Sequence, residues 1–344
     1  MKSVPKPRKI LIIGPSWVGD MVMTQSLFKV LKADNPAVQI DVLAPSWTFS
    51  VLSCMPEVTT AIEMPIGHGE LKLLERIRLG KSLRAAQYDQ AIVVPNSFKA
   101  ALIPLFARIP VRTGWLGEMR YGLLNDFRKL DKQRYPLMVE QCMALGLPAG
   151  APLPAIYPYP SFHVTEAAQQ AALLRHQPKW PNRKVLALGA GAEFGSSKRW
   201  PAEYYAELAK LKLAEGYDVW LFGSPKDRAV TDNIMALTDE RCENLAGRLE
   251  LSETMALLSL VEGAVTNDSG LMHMAAALQK PLVVIYGSTS PSFTPPLSAA
   301  ATILQRHLPC QPCFQRECPL KHHQCMRDIL PVEVAAAMAA WSHS

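Results

Sequence analysis

Long apolar runs are missing from this 344-residue chain. The best, Val334–Trp341, falls far short of the ~18 residues that a membrane-crossing helix needs. A secretory leader is not legible either. Met1–Lys9 is basic, but only Ile10–Ile13 follow before Gly14-Pro15, too few for the apolar core of a signal. A cytoplasmic protein is expected. The 19 Gly and 28 Pro form no period and no low-complexity tract, which excludes collagen-like and disordered readings. Basic residues form no dense run with interleaved aromatics, so nucleic acid is a poor fit as partner.

What is present suits two packed cores. Apolar residues make up 49% and charged ones 19%, and the length suits two domains of ordinary size. The charge is uneven. Residues 1–150 hold 19 Lys and Arg against 12 Asp and Glu, a net +7; residues 151–344 hold 17 against 18, a net −1. An anionic partner for the first half, or a plain solvated basic face, accounts for this.

The pattern predicts α/β architecture. Lys9–Ile13, Val38–Leu43 and Gln90–Val94 read as strands, separated by helical patterns at Met21–Leu31 and Leu71–Leu83. Leu147–Pro160 carries five prolines and reads as a linker, with Gln177–Arg183 adding two more. The pattern then restarts. Lys184–Leu188, Asp218–Phe222, Gly263–Thr266 and Pro281–Tyr286 read as strands, and Pro201–Glu215 as a helix closed by Gly216. The expectation is two doubly wound parallel-sheet domains, 1–160 and 161–330, with a cleft between them and a last helix in 331–344.

Gly14-Pro15-Ser16-Trp17-Val18-Gly19-Asp20-Met21 has the glycine spacing of a phosphate loop, but Asp20 stands where such a loop needs Lys. An acid there repels phosphate. It serves either as a general base for a hydroxyl nucleophile or as a cap of the following helix. In the second half, Gly189-Ala190-Gly191-Ala192-Glu193-Phe194-Gly195 is one residue off the dinucleotide fingerprint, which weakens an NAD-dependent oxidoreductase reading. Lys198 and Arg199 follow, ahead of a helix: an anion site, or simply solvated cations. Asn267-Asp268-Ser269-Gly270-Leu271-Met272-His273 ends a strand and opens a small-residue helix. Ser269 and Gly270 can offer N–H groups to a diphosphate, with His273 on the same face; capping and a core histidine are the plain alternative. Asp227 suits ribose hydroxyls or a surface turn. The turn Gly287-Ser288-Thr289-Ser290 either adds donors or only reverses the chain.

Cys310, Cys313, Cys318 and Cys325 fall within 16 residues, beside His322 and His323. The spacing departs from paired C-x-x-C, so a structural metal competes with reduced free thiols. Cys54, Cys142 and Cys242 read as isolated core thiols.

Several of these segments, together with Pro95-Asn96-Ser97-Phe98-Lys99, Arg112-Thr113-Gly114-Trp115, Gly117-Glu118-Met119-Arg120-Tyr121-Gly122-Leu123-Leu124-Asn125-Asp126, Lys198-Arg199-Trp200-Pro201 and Phe293-Thr294-Pro295-Pro296, closely resemble glycosyltransferase family 9 over essentially the whole chain. The resemblance implies a GT-B fold of two Rossmann-like domains. It implies transfer of L-glycero-D-manno-heptose from ADP-heptose, with inversion, to the first heptose of the lipopolysaccharide inner core on heptosyl-Kdo2-lipid A. Relatives acting at the first or third heptose are the alternatives. By resemblance Asp20 is the base, Lys198 the donor-phosphate cation, and Gly191, Arg199, Asp227, Asp268, Ser269, Gly270 and His273 the donor site, with adenine near Leu249. Asn96, Lys99, Arg112 and Arg120 are the acceptor-side candidates. No cofactor is implied, since ADP-heptose is a substrate. The resemblance further implies a last helix packing back on the N-terminal domain, and work at the cytoplasmic face of the inner membrane. A non-catalytic module for acidic lipid would explain the basic half but not Asp20 and Lys198.

Overall fold

Ile10–Ile13 has almost no exposed surface, because this run is covered on both sheet faces. It is the body of the first strand. The computed structural model describes residues 8–67, 69–178, 184–339 and 341. Most of the basic start and part of Gln177–Arg183 lie outside them. The chain divides into two units, Met1–Pro160 and Ser161–Ser344.

In the first unit the order is β1 (Lys9–Ile13), α1 (Val18–Asp34), β2 (Gln39–Ala44), α2 (Phe49–Ser53), β3 (Thr60–Glu63), α3 (Leu73–Ser82), β4 (Gln90–Val93), α4 (Phe98–Phe106), β5 (Val111–Trp115), β6 (Asp126–Arg128) and α5 (Met138–Gly146). The strands form one parallel sheet in the order β3-β2-β1-β4-β5-β6. Leu11, Ile13, Val93 and Ile103 build one core cluster of this unit.

The second unit runs α6 (Glu166–His176), β7 (Val185–Gly189), α7 (Ala202–Ala214), β8 (Asp218–Phe222), α8 (Arg228–Leu237), β9 (Glu243–Asn244), α9 (Leu251–Leu258), β10 (Gly263–Asn267), α10 (Gly270–Ala277), β11 (Leu282–Tyr286), β12 (Ala301–Gln305), α11 (Gln324–Arg327) and α12 (Pro331–Met338). Its parallel sheet repeats the same winding, β12-β11-β10-β7-β8-β9. Trp200 stacks edge-on against Tyr205, ring centroids 4.8 Å apart, at one side of the core.

α12 packs against α7 and β11, with Val334 and Met338 buried in the second unit's core. Its apolar stripe joins the core of the second unit. No helix among the described residues is long and apolar enough to cross a membrane.

Candidate functional site

In each sheet the winding reverses between two neighbouring strands. In the first these are β1 and β4, with Ile13 beside Val93. In the second they are β7 and β10, with Gly189 beside Thr266. Connections leave such a pair in opposite directions and open a crevice beyond the strand ends, where ligands bind. The segments singled out from sequence fall there: Gly14–Met21 and Pro95–Lys99 in the first unit, Gly189–Trp200 and Asn267–His273 in the second.

In the second unit Asn267 stitches the crevice together. Its Nδ2 donates to the carbonyls of Ala190 (3.0 Å) and Gly191 (3.3 Å), while its Oδ1 accepts from the Trp200 backbone N–H (3.1 Å) and the Tyr205 hydroxyl (3.0 Å). Asp268 follows, nearly buried. Its Oδ2 accepts from Lys198 Nζ at 2.6 Å and from the Thr289 hydroxyl at 2.6 Å. The Lys198 ammonium also lies 5.0 Å from the centre of the Phe194 ring. Ser269 is the N-cap of α10 and makes no side-chain cap bond. The helix start, with Ser269, Gly270 and Leu271 half-exposed, thus presents N–H groups beside a fixed cation. Burial pushes the His273 imidazole down to about 4, with Asp268 opposing and Lys198 adding to the shift. At neutral pH it is an uncharged hydrogen-bonding group.

Asp227 sits beyond β8. Its Oδ2 accepts from the backbone N–H (2.9 Å) and hydroxyl (2.7 Å) of Ser224, and Arg199 stands 4.0 Å from Oδ1. A side chain at Gly191 would overlap the Asp227 carboxyl, so glycine is what lets this acid reach the crevice. Leu249 is half-buried in the loop between β9 and α9.

The cysteine-rich segment braces this site from behind. Gln311 Nε2 donates to the Gly287 carbonyl (2.6 Å), the Phe314 N–H to Ser288 (2.8 Å), and the Ser197 N–H to Arg316 (3.1 Å). These bonds fix the turns that carry Thr289 and Lys198. Burial pushes the Cys325 thiol up to about 11, and the charges of Cys318, Cys310 and Cys313 add to it. Burial also raises Cys318, but backbone N–H groups of residues 320–323 outweigh it and bring the thiol below its usual value. Among the described residues no group of three or more His, Cys, Asp or Glu is placed to hold a metal ion, so the structural metal is not supported. The segment's observed part is a hydrogen-bonded buttress.

In the first unit Asp20 lies in the first turn of α1, where an acid is favoured by the helix dipole. The N-cap itself is Trp17, so Asp20 is not the capping residue. Its charge reaches the buried Cys142 thiol on α5, which burial chiefly, and Asp20 secondly, push up to about 12. Asn96 is exposed and Lys99 half-exposed beside the start of α4.

Arg120 and Arg112, the other two acceptor-side candidates, are already hydrogen-bonded within the first unit. Arg120 has no exposed surface. It donates to the carbonyls of Pro95 (2.9 Å), Ser97 (3.4 Å) and Trp115, and to Asn96 Oδ1. It holds the loop after β4. Gly117 closes the other side: a Cβ there would overlap the Asn96 side chain. Arg112 lies near the amino end of β5, away from the crevice, and its guanidinium is used by the carbonyls of Leu123 (2.6 Å) and Ile109 (2.7 Å).

A profile of glycosyltransferase family 9 (heptosyltransferase) matches residues 76–324. This chain belongs to that family. It is 50% identical over 335 residues to lipopolysaccharide heptosyltransferase 2 of Salmonella typhimurium strain LT2, covering 95% of this chain and 96% of that protein. It is 48% identical over 341 residues to the Escherichia coli K12 protein of the same name, covering 96% and 98%. The solved structure of the E. coli ADP-heptose lps heptosyltransferase II superimposes with a TM-score of 0.86 at 46% identity, over 97% of this chain and 98% of that one. The chain is therefore a glycosyltransferase enzyme of GT-B architecture, its two Rossmann-like domains being the two units described above. Within this family 9 site, sequence reasoning passed over Asn267, which it quoted only as part of a motif, and Thr289, which it left as a turn. Their signal was position: Asn267 is the last residue of buried β10, and Thr289 lies in the turn three residues beyond buried β11.

Proposed function

We propose that this enzyme is an inverting glycosyltransferase. It moves L-glycero-D-manno-heptose from ADP-heptose to the first heptose of heptosyl-Kdo2-lipid A. The observation that carries the reading is 50% identity across nearly the full length of a heptosyltransferase 2.

The second unit takes the donor. Lys198, Arg199 and the open start of α10 hold the diphosphate, Asp227 accepts from the ribose, and adenine lies by Leu249. Asp268 acts through Lys198 by fixing its ammonium, and neutral His273 supplies a hydrogen bond without adding charge. The first unit takes the acceptor, with Asn96 and Lys99 lining its side. The acceptor hydroxyl attacks the anomeric carbon from the face opposite the diphosphate. Asp20 removes the hydroxyl proton as the new C–O bond forms, and the electron pair of the breaking bond leaves with ADP. The sugar passes through an oxocarbenium-like state. Fixed donors placed where charge grows on the leaving group are worth roughly 3 kcal/mol each, by analogy with oxyanion sites. ADP-heptose is a substrate, no further cofactor is invoked, and no nucleic acid takes part. The enzyme works at the cytoplasmic face of the inner membrane, where its acceptor is anchored.

The test is mass analysis of products formed by purified enzyme and ADP-heptose with three acceptors: Kdo2-lipid A, its mono-heptosylated form and its di-heptosylated form. One added heptose on the mono-heptosylated acceptor alone supports the reading. Transfer only to one of the others moves the enzyme to the first or third heptose.

A further inference from the structure

The loops that follow the first five strands of the first unit share an unusual feature. Large apolar side chains stand in solvent in these loops or in the first turn of the helix they enter: Trp17 after β1, Trp47 after β2, Leu74 in the first turn of α3, Phe98 at the start of α4, and Met119 with Tyr121 after β5. Exposures reach 69% at Leu74, 62% at Tyr121 and 82% at Met119. All strands of the sheet are parallel, so all these loops lie at one end of it. The strand order makes them a row about 20 Å long at ~4.8 Å per strand. Met119 is held at φ +51°, a left-handed conformation rare for methionine, and projects from the row.

The row ends beyond β6 in a loop with exposed Lys129 and Lys132. Three carboxylates near it are committed locally, while Glu63 at the end of β3 is exposed. Glu70 pairs with Lys72 at 3.0 Å, Glu118 accepts from the Phe98 N–H at 2.6 Å, and Asp131 accepts from the N–H groups of Gln133 and Arg134. In the second unit the loops after β7, β8 and β10 carry no large exposed apolar side chain among the described residues, while those after β11 and β12 carry Phe293, Phe314 and Leu320. A row of Trp, Leu, Met and Tyr flanked by lysines matches the chemistry of a bilayer interface, where amphipathic rings sit at headgroup level and lysines meet anionic lipid.

We propose that this row is the surface by which the enzyme docks on an anionic phospholipid bilayer. The inference rests on the reading above, in which the acceptor is lipid-anchored, and it names the residues that meet the lipid. The row lies at the same end of the sheet as Asp20 and Lys99, so docking brings the acceptor's anchored end to the loops that receive it.

The test is co-sedimentation of the full-length enzyme with vesicles of phosphatidylethanolamine and phosphatidylglycerol, against pure phosphatidylcholine, at low and high salt. The wild type is expected to partition onto the anionic vesicles. The variant Leu74→Ser/Met119→Ser/Tyr121→Ser is expected to lose about tenfold or more of that partition. Lys129→Ala/Lys132→Ala is expected to lose about 25-fold, near fivefold per lysine, at low salt only. Both should keep wild-type kcat/KM on a deacylated, water-soluble acceptor while slowing on acceptor embedded in vesicles. Absence of wild-type binding, equal binding to phosphatidylcholine, or unchanged binding by the apolar variant overturns the proposal. Transfer to the soluble acceptor with no vesicle binding would sink this inference and leave the function standing; vesicle binding without transfer to any acceptor would do the reverse.

Discussion

Lys198 Nζ lies 2.6 Å from Asp268 Oδ2, and both side chains are mostly buried. Thr289 donates to the same oxygen. The cation is thus held at one point in the crevice before any ligand arrives. Lys198→Ala should weaken ADP binding and lower kcat by about 10²–10³-fold. It should also lower Tm, because breaking a buried pair costs roughly 3–5 kcal/mol. Lys198→Ala/Asp268→Asn should recover most of the Tm and none of the activity. Calorimetry beside steady-state kinetics separates the two effects.

Asp20→Ala should lower kcat by about 10²–10⁴-fold, the usual worth of a positioned base. ADP-heptose affinity, measured by titration calorimetry, should stay within about twofold. Unchanged turnover would remove Asp20 from the reaction.

Gly191→Ala places a methyl against the Asp227 carboxyl, which Ser224 holds through two hydrogen bonds. The acid must move. The KM for ADP-heptose is expected to rise about tenfold, or roughly 1.4 kcal/mol, with kcat little changed.

Arg120→Met removes every donor that ties Pro95, Asn96, Ser97 and Trp115 together. Several buried carbonyls then lose partners at about 1–3 kcal/mol each. A large fall in Tm is expected, with a raised KM for acceptor. Arg120→Lys should not rescue either, because a point ammonium cannot span the fork. If Arg120→Met melted like wild type and changed only acceptor KM, the positioning role would give way to direct binding.

His273 gives a pH signature. Its pKa is depressed in the fold, from an ordinary 6.5 to about 4. Below pH 6.5 the unfolded chain binds a proton that the folded chain does not. Stability therefore falls as pH drops from about 6.5 to 4, by up to about 3 kcal/mol, and this contribution is flat outside that window. His273→Gln should flatten that part of the Tm–pH curve.

The sequence made the buried strands plain and the edges obscure. β1 and β8 are apolar after a single charged first residue and are closed by turns, so their bounds are plain in the sequence. β3, β6 and β9 are short edge strands of mixed polarity, where neither alternation nor length gives a signal. α4 contains Pro104, which masks a helix from any pattern reading. In the site, acids and glycines after strands were legible because the chemistry demands them. Burial was not. Arg112 and Arg120 read as cations for a ligand, and the sequence carried no sign that both also tie their own unit's backbone together. The apolar stripe of α12 announced that it would be buried, and Val334 and Met338 are.

The central claim is direct displacement from an activated heptose, and it is tested by the stereochemistry of one turnover. NMR of the disaccharide linkage formed from ADP-heptose, with ADP release followed in parallel, reads it directly. The account predicts a linkage of opposite anomeric configuration to the donor and one ADP per heptose transferred. Retention of configuration, or ADP released without transfer in the presence of acceptor, would contradict it.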